Sequence, residues 1–164
     1  MTRNAVATTA APAAIGPYSQ AIDSGGFLFC SGQLGLDPAT GKLLVGIEEQ
    51  TERALVNLEG VLAAVGLTFG DVVKVNVFIA DLADFAAMNA VYARRFQDAF
   101  PARSTIQVAG LPKGSRIEVE IQAVKHPAPP SPQKARAKAK ARPGKTVRKP
   151  AAAARKPPRK KGHR

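Results

Sequence analysis

RIEVEIQAV, residues 116–124, is the stretch on which the fold turns. Ile117, Val119, Ile121 and Ala123 alternate with Glu118, Glu120 and Gln122. That period of two describes a strand with one face in a core and a polar face turned away from it. Just upstream, residues 104–110 read as a second strand, and Leu-Pro-Lys-Gly-Ser (111–115) supplies turn residues between the two. The sequence therefore predicts a β-hairpin over 104–124, with Glu120 facing about Ile106 and Arg103 within a few residues of Glu120 across the ladder.

Working outward, DVVKVNVFIA (71–80) is β-branched and alternates, so it reads as another strand. Ile47, Ala54, Leu55, Leu58, Val61, Leu62 and Val65 recur at three- and four-residue spacing, which predicts a helix over 47–65. Glu48 and Glu49 suit its positive end, and Gly66 suits the position just past its last turn. A second helix is expected over about 83–98, capped by Asp81 or Asp84, with Phe85, Met88, Tyr92 and Phe96 on one stripe. Nearer the N-terminus, a loose segment leads into a short strand at about 18–22. Gly25-Gly26 then turns the chain into FLFCSGQ (27–33), which reads as a strand buried on both faces. The order β-β-α-β-α-β-β is that of an α+β layer fold, two helices on one face of a mixed sheet. The other sheet face must be covered by self-association or meet water.

Charge divides the chain. Residues 1–125 hold 10 Lys and Arg against all 12 Asp and Glu, net −2, whereas residues 126–164 hold 14 Lys and Arg and no acid, net +14; together they give the formal +12. We accordingly expect one folded domain over 1–125 and a basic tail over 126–164. The tail contains 8 of the 13 prolines and little that is apolar, a composition that predicts disorder. Its charge suits either a merely solubilising tail or non-specific binding of DNA, RNA or another polyanion through residues 134–164. No aromatic residue is interleaved there, so phosphate charge rather than base stacking would carry such binding.

Several chemistries are excluded from the domain. His126 and His163 both lie beyond residue 125, so neither a Ser-His-Asp triad nor a histidine metal site can be built inside it. Cys30 is the single cysteine, which rules out an internal disulfide and fits a cytoplasmic protein. It sits in an apolar strand and reads as core. Neither common phosphate-binding glycine motif is present. No run approaches the roughly 18–20 apolar residues of a membrane span, and the N-terminus lacks the apolar core of a signal peptide.

What remains is arginine, carboxylates, hydroxyls and amides. Arg103 stands between Pro101 and a strand, flanked by apolar residues. Its fork matches a carboxylate bidentately. Alone, its position is equally that of a surface arginine or of an ion pair with Glu118 or Glu120. A glutamate close to it would hold a water for attack or simply pair with it, and Glu118 competes with Glu120 for either role.

GPYSQ (16–20), SGQ (31–33), the DxxDFxxMNxVY run from Asp81 to Tyr92, and PARSTIQVAGLPKGSRIEVEIQAV (101–124) together resemble the Rid family, also called YjgF-like or reactive intermediate/imine deaminase proteins. The resemblance spans about residues 10–125. It implies a chorismate-mutase-like α+β fold, a homotrimer with active sites in clefts between subunits, and no cofactor. The implied reaction is hydrolysis of 2-iminoacids such as 2-iminobutanoate and 2-iminopropanoate to 2-oxoacids and ammonia. By the same resemblance Arg103 binds the substrate carboxylate and Glu120 positions the water. Tyr18, Ser31, Asn89 and Thr105 are the remaining substrate-binding positions. Thr105 stands where many members carry cysteine, which removes any thiol-based regulation there. The extension past residue 125 departs from the family pattern. Two other readings compete with the enzyme: a non-catalytic, ribonuclease or translation-regulating trimer that displays the tails, and a pocket that only senses 2-oxoacids.

Overall fold

A computed structural model describes residues 2–96 and 99–125. The tail, with its expected disorder and polyanion binding, lies outside the described residues. Seven strands form one sheet: β1 (Arg3–Val6), β2 (Ala21–Ser24), β3 (Phe27–Cys30), β4 (Gln33–Leu34), β5 (Val72–Ile79), β6 (Ala102–Gln107) and β7 (Ile117–Val124). They run in the order β1-β2-β3-β7-β5-β6, with β4 continuing the β3 side of β7. Helices α1 (Ile47–Ala63) and α2 (Phe85–Tyr92) cover one face.

The expected hairpin does not form. β7 is antiparallel to β5 and β6 is parallel to β5, so β5 lies between the two strands that the turn residues seemed to join. The reason is topological. α2 returns the chain to lay β6 parallel beside β5, and a parallel neighbour needs such a crossover. Residues 108–116 then carry the chain past β5, a step of roughly 10 Å, two strand spacings, that a tight turn cannot make. Glu120 is thus opposite Asn76, and Asn76 is opposite Ser104.

The alternation read in β7 holds. Ile117, Val119, Ile121 and Ala123 are buried, and Glu118, Glu120 and Gln122 are half-buried on the other face. Leu28, Leu55, Leu58, Leu62, Val75 and Val77, fully buried between sheet and helices, each contribute about 1.5–3 kcal/mol of transfer free energy. α1 ends where Gly66, at φ 74°, donates to Ala63 O while Leu67 N reaches back to Leu62 O. A side chain with a Cβ would be strained at that φ, which is why glycine stands there.

Three expectations change in detail. The N-terminal segment is not wholly loose, since Arg3–Val6 pairs with β2 in antiparallel register. The second helix is shorter than its periodicity suggested: α2 spans Phe85–Tyr92, with single 3-10 turns at Leu82–Asp84 and Ala93–Arg95. Asp81 caps the first of these by accepting from Ala83 N at 2.9 Å, while Asp84 is held in a two-point ion pair with Arg116. Finally, β3 is not buried on both sides. Leu28 and Cys30 face the core, but Phe27 and Phe29 are 46% and 44% exposed on the face without helices. Ile106 is exposed too, at 52%.

Candidate active site

Arg103 lies on β6 opposite Val75, and paired residues of neighbouring strands point to the same side of a sheet. Its side chain therefore rises on the helix-bearing face. α2 presents Phe85, Asn89 and Tyr92 toward it, residues one and two turns apart on a single stripe. The guanidinium carbon is 4.5 Å from the centre of the Tyr92 ring and 5.8 Å from that of Phe85. No ion pair to Arg103 exists among the described residues. Asn89, Tyr92, Ala93, Phe100, Pro101 and Arg103 line a cleft of about 330 Å³. Burial pushes the Tyr92 hydroxyl up to about 12, against the opposing pull of the Arg103 charge. Thr105, two residues on and on the same face, has a buried hydroxyl with no hydrogen-bond partner among the described residues.

A second cluster forms on the other face. Ile15, Tyr18, Ser31, Gly32, Leu34, Pro112 and Glu118 enclose about 300 Å³. The two signature segments GPYSQ and SGQ are tied together here. Ser31 Oγ donates to Ser19 O at 2.7 Å, and Ser31 N donates to Gln20 O at 3.0 Å. Tyr18 is 47% exposed and walls the opening. The carboxylate of Glu118 packs directly on Gly32, where any Cβ would collide with it. A Cβ there would push the Glu118 side chain aside, so it is space rather than backbone angle that glycine supplies. Burial, and then the neighbouring charge of Glu120, raise the Glu118 carboxyl above the ordinary carboxylate range.

Glu120 occupies a different environment. Its Oε1 accepts from Asn76 Nδ2 at 3.0 Å, and it does not line the Tyr18–Ser31 cleft. Of the two carboxylates that competed in the sequence, geometry therefore brings Glu118, and not Glu120, to Tyr18 and Ser31. Within one chain Arg103 pairs with neither glutamate, because both project from the opposite face.

The expected site residues fall into two half-sites: Arg103 and Asn89, with Thr105 beside them, on one face; Tyr18 and Ser31, joined by Glu118, on the other. One chain does not bring them together. Sequence reading missed Tyr92 and Phe85 as neighbours of Arg103, assigning both to the helix stripe alone. Their spacing from Asn89 was the available signal. Met88 and Phe96 are core, as their stripe suggested. Cys30 is core as well, its thiol pushed up to about 12 by burial and then by the charge of Glu120. Among the described residues no group of three or more His, Cys, Asp or Glu is placed to hold a metal. None of their helices is long and apolar enough to cross a membrane.

Comparison with known proteins adds a consistent picture. The family model described as Endoribonuclease L-PSP matches residues 8–125. A 2-iminobutanoate/2-iminopropanoate deaminase of Capra hircus is 49% identical over 128 residues, 77% of this chain and 93% of that protein. The crystal structure of the YjgF gene product of E. coli superposes with a TM-score of 0.73 at 44% identity, covering 75% of this chain and 99% of the other. That of E. coli TdcF with bound serine gives 0.73 at 42% identity, with the same coverage.

Proposed function

This chain belongs to the Rid family, and from that premise we propose that it is a cofactor-independent deaminase of 2-iminoacids, with 2-iminobutanoate and 2-iminopropanoate as substrates. The carrying observation is Arg103: a half-buried guanidinium in a small cleft, free of any described carboxylate partner. Such a group is poised to take a substrate carboxylate through two parallel N–H···O bonds. The name borne by the Capra hircus relative and the serine bound in TdcF support a small carboxylate ligand.

The chemistry asks little of the protein. The imine carbon is already electrophilic, most of all when its nitrogen is protonated. Water adds to it to give a tetrahedral carbinolamine, which expels ammonia and leaves the 2-oxoacid. Arg103 binds and orients the carboxylate, with Asn89 and Thr105 beside it. Glu118 holds the attacking water, takes its proton and returns it to the carbinolamine nitrogen, which leaves as ammonia as the carbonyl forms; burial and the charge of Glu120 raise its carboxyl and so its basicity. Tyr18 and Ser31 close the pocket around the reacting carbon and its nitrogen. In this reading the water-positioning role moves from Glu120 to Glu118.

Because the two half-sites lie on opposite faces of one sheet, a complete site requires two copies. A homotrimer with its clefts between subunits meets that need, and the exposed Phe27, Phe29 and Ile106 give the helix-free face reason to be covered. A cytoplasmic place of action accompanies this reading.

The test is ammonia or 2-oxobutanoate release from freshly generated 2-iminobutanoate by wild type and Arg103→Ala. Acceleration by wild type and its loss in the variant are expected; equal rates from both would sink the proposal. A second reading has its own observation. The matching family model is described as an endoribonuclease, and the tail carries +14. It would act as an RNA-cleaving or RNA-binding trimer, and RNA degradation unaffected by Arg103→Ala, without imine hydrolysis, would favour it.

A further inference from the structure

We propose that Tyr92 and Phe85 are positioning residues: together they form an aromatic cradle that holds the Arg103 guanidinium flat and unpaired, ready for a carboxylate. The inference rests on the reading of Arg103 as the carboxylate-binding group, and goes beyond it by naming what aims that group.

Arginine side chains are long, and a free guanidinium would sample many rotamers or pair with the nearest acid. Here the second alternative is not realised. The described acids on the near strands project from the opposite sheet face, Glu118 into the Tyr18 cleft and Glu120 onto Asn76. The helix face offers π surfaces instead. The guanidinium carbon sits 4.5 Å from the Tyr92 centroid and 5.8 Å from that of Phe85, both within the range of cation–π attraction. An aromatic face attracts the cation without occupying its N–H donors in the plane of the fork. The donors along the fork edge thus remain available to two carboxylate oxygens, which an ion pair would have consumed. Asn89, between the two rings on the same stripe, brings a side-chain amide to the rim of the cleft. Tyr92 is 4% exposed, so the ring beneath the guanidinium is locked by packing. Phe85 is 40% exposed and serves as the outer wall.

The two rings can be tested separately. Tyr92→Met keeps the volume of the site without a ring, Tyr92→Phe keeps the ring without the hydroxyl, and Phe85→Leu removes an exposed ring with little core to lose. The readouts are titration of 2-oxobutanoate into the full-length protein and the 1H–15N resonance of Arg103 Nε, which a ring stacked on it displaces. Tyr92→Met is expected to weaken binding about tenfold, and Phe85→Leu about twofold. Tyr92→Phe should stay within twofold of wild type. The displaced Arg103 resonance should persist in Tyr92→Phe and relax in Tyr92→Met. An unchanged resonance in Tyr92→Met, or undiminished binding in both Tyr92→Met and Phe85→Leu, overturns the cradle. If Tyr92→Met does not fold, Phe85→Leu decides alone. Arg103→Met separates the two levels: loss of binding there with none in the ring variants rejects the cradle and keeps Arg103, whereas undiminished binding there removes the reading beneath it as well.

Discussion

At the scale of single residues, what surrounds two charges sets what each can do. Arg103 is enclosed by rings and apolar groups and lacks a described acid partner, so in the proposed role its geometry, rather than its charge alone, does the binding. Arg103→Lys keeps the charge and loses the fork, and should cost more than tenfold in deaminase rate, measured as 2-oxobutanoate release. Glu118 is the second charge. Its carboxyl is raised by burial first and by Glu120 second. As the proposed base it must be ionised, so the rate should fall as pH drops through a value raised above that of an ordinary carboxyl. Glu120→Gln removes the like charge and should move that fall to lower pH, visible in a pH–rate profile. The same shift has a consequence for stability. A carboxyl with a raised folded-state value favours folding while it is protonated, below its ordinary value, and loses that contribution as pH rises through the raised one. Glu118→Gln should therefore abolish most activity yet melt above wild type at pH 7, with the gap closing on acidification. A thermal melt at two pH values checks this, and a lower Tm for the variant at pH 7 contradicts it.

At the scale of elements, some pieces were legible in the sequence and some were not. α1 was, because its apolar stripe runs through more than three turns and its glycine stop is explicit. Its packing is correspondingly strict: Leu58→Ala, at a fully buried position, should cost about 2–5 kcal/mol in urea denaturation. β5 and β7 were legible from alternation. Alternation states which residues share a face, but not which strand lies alongside. That is why the turn-like Leu-Pro-Lys-Gly-Ser suggested a hairpin, while the parallel placement of β6 by α2 put β5 in between. Arg103 and Glu120, which a hairpin would make neighbours, therefore stand on opposite faces two strands apart. β1 escaped notice because three of its four residues are exposed, and pairing with β2 rather than its own pattern defines it. Gly32 is a further junction between element and site. Gly32→Ala should displace the Glu118 carboxylate and lower activity while the fold, by circular dichroism, is retained.

At the scale of the whole molecule, the domain is nearly neutral and the tail carries the charge. If the tail engages nucleic acid, binding should weaken steeply with salt and vanish when the chain is truncated at Lys125. Equal binding by both forms contradicts that role. Half-sites on opposite faces of a sheet become one site only between copies, so two defective subunits should repair each other. Arg103→Ala and Glu118→Gln are each inactive on this account, and a subunit carrying either still supplies the other half. Mixing the two by co-refolding in equal amounts should restore about a quarter of the wild-type rate of 2-iminobutanoate hydrolysis, the share of clefts that receive both intact halves. A mixture no faster than its two parents would contradict the account.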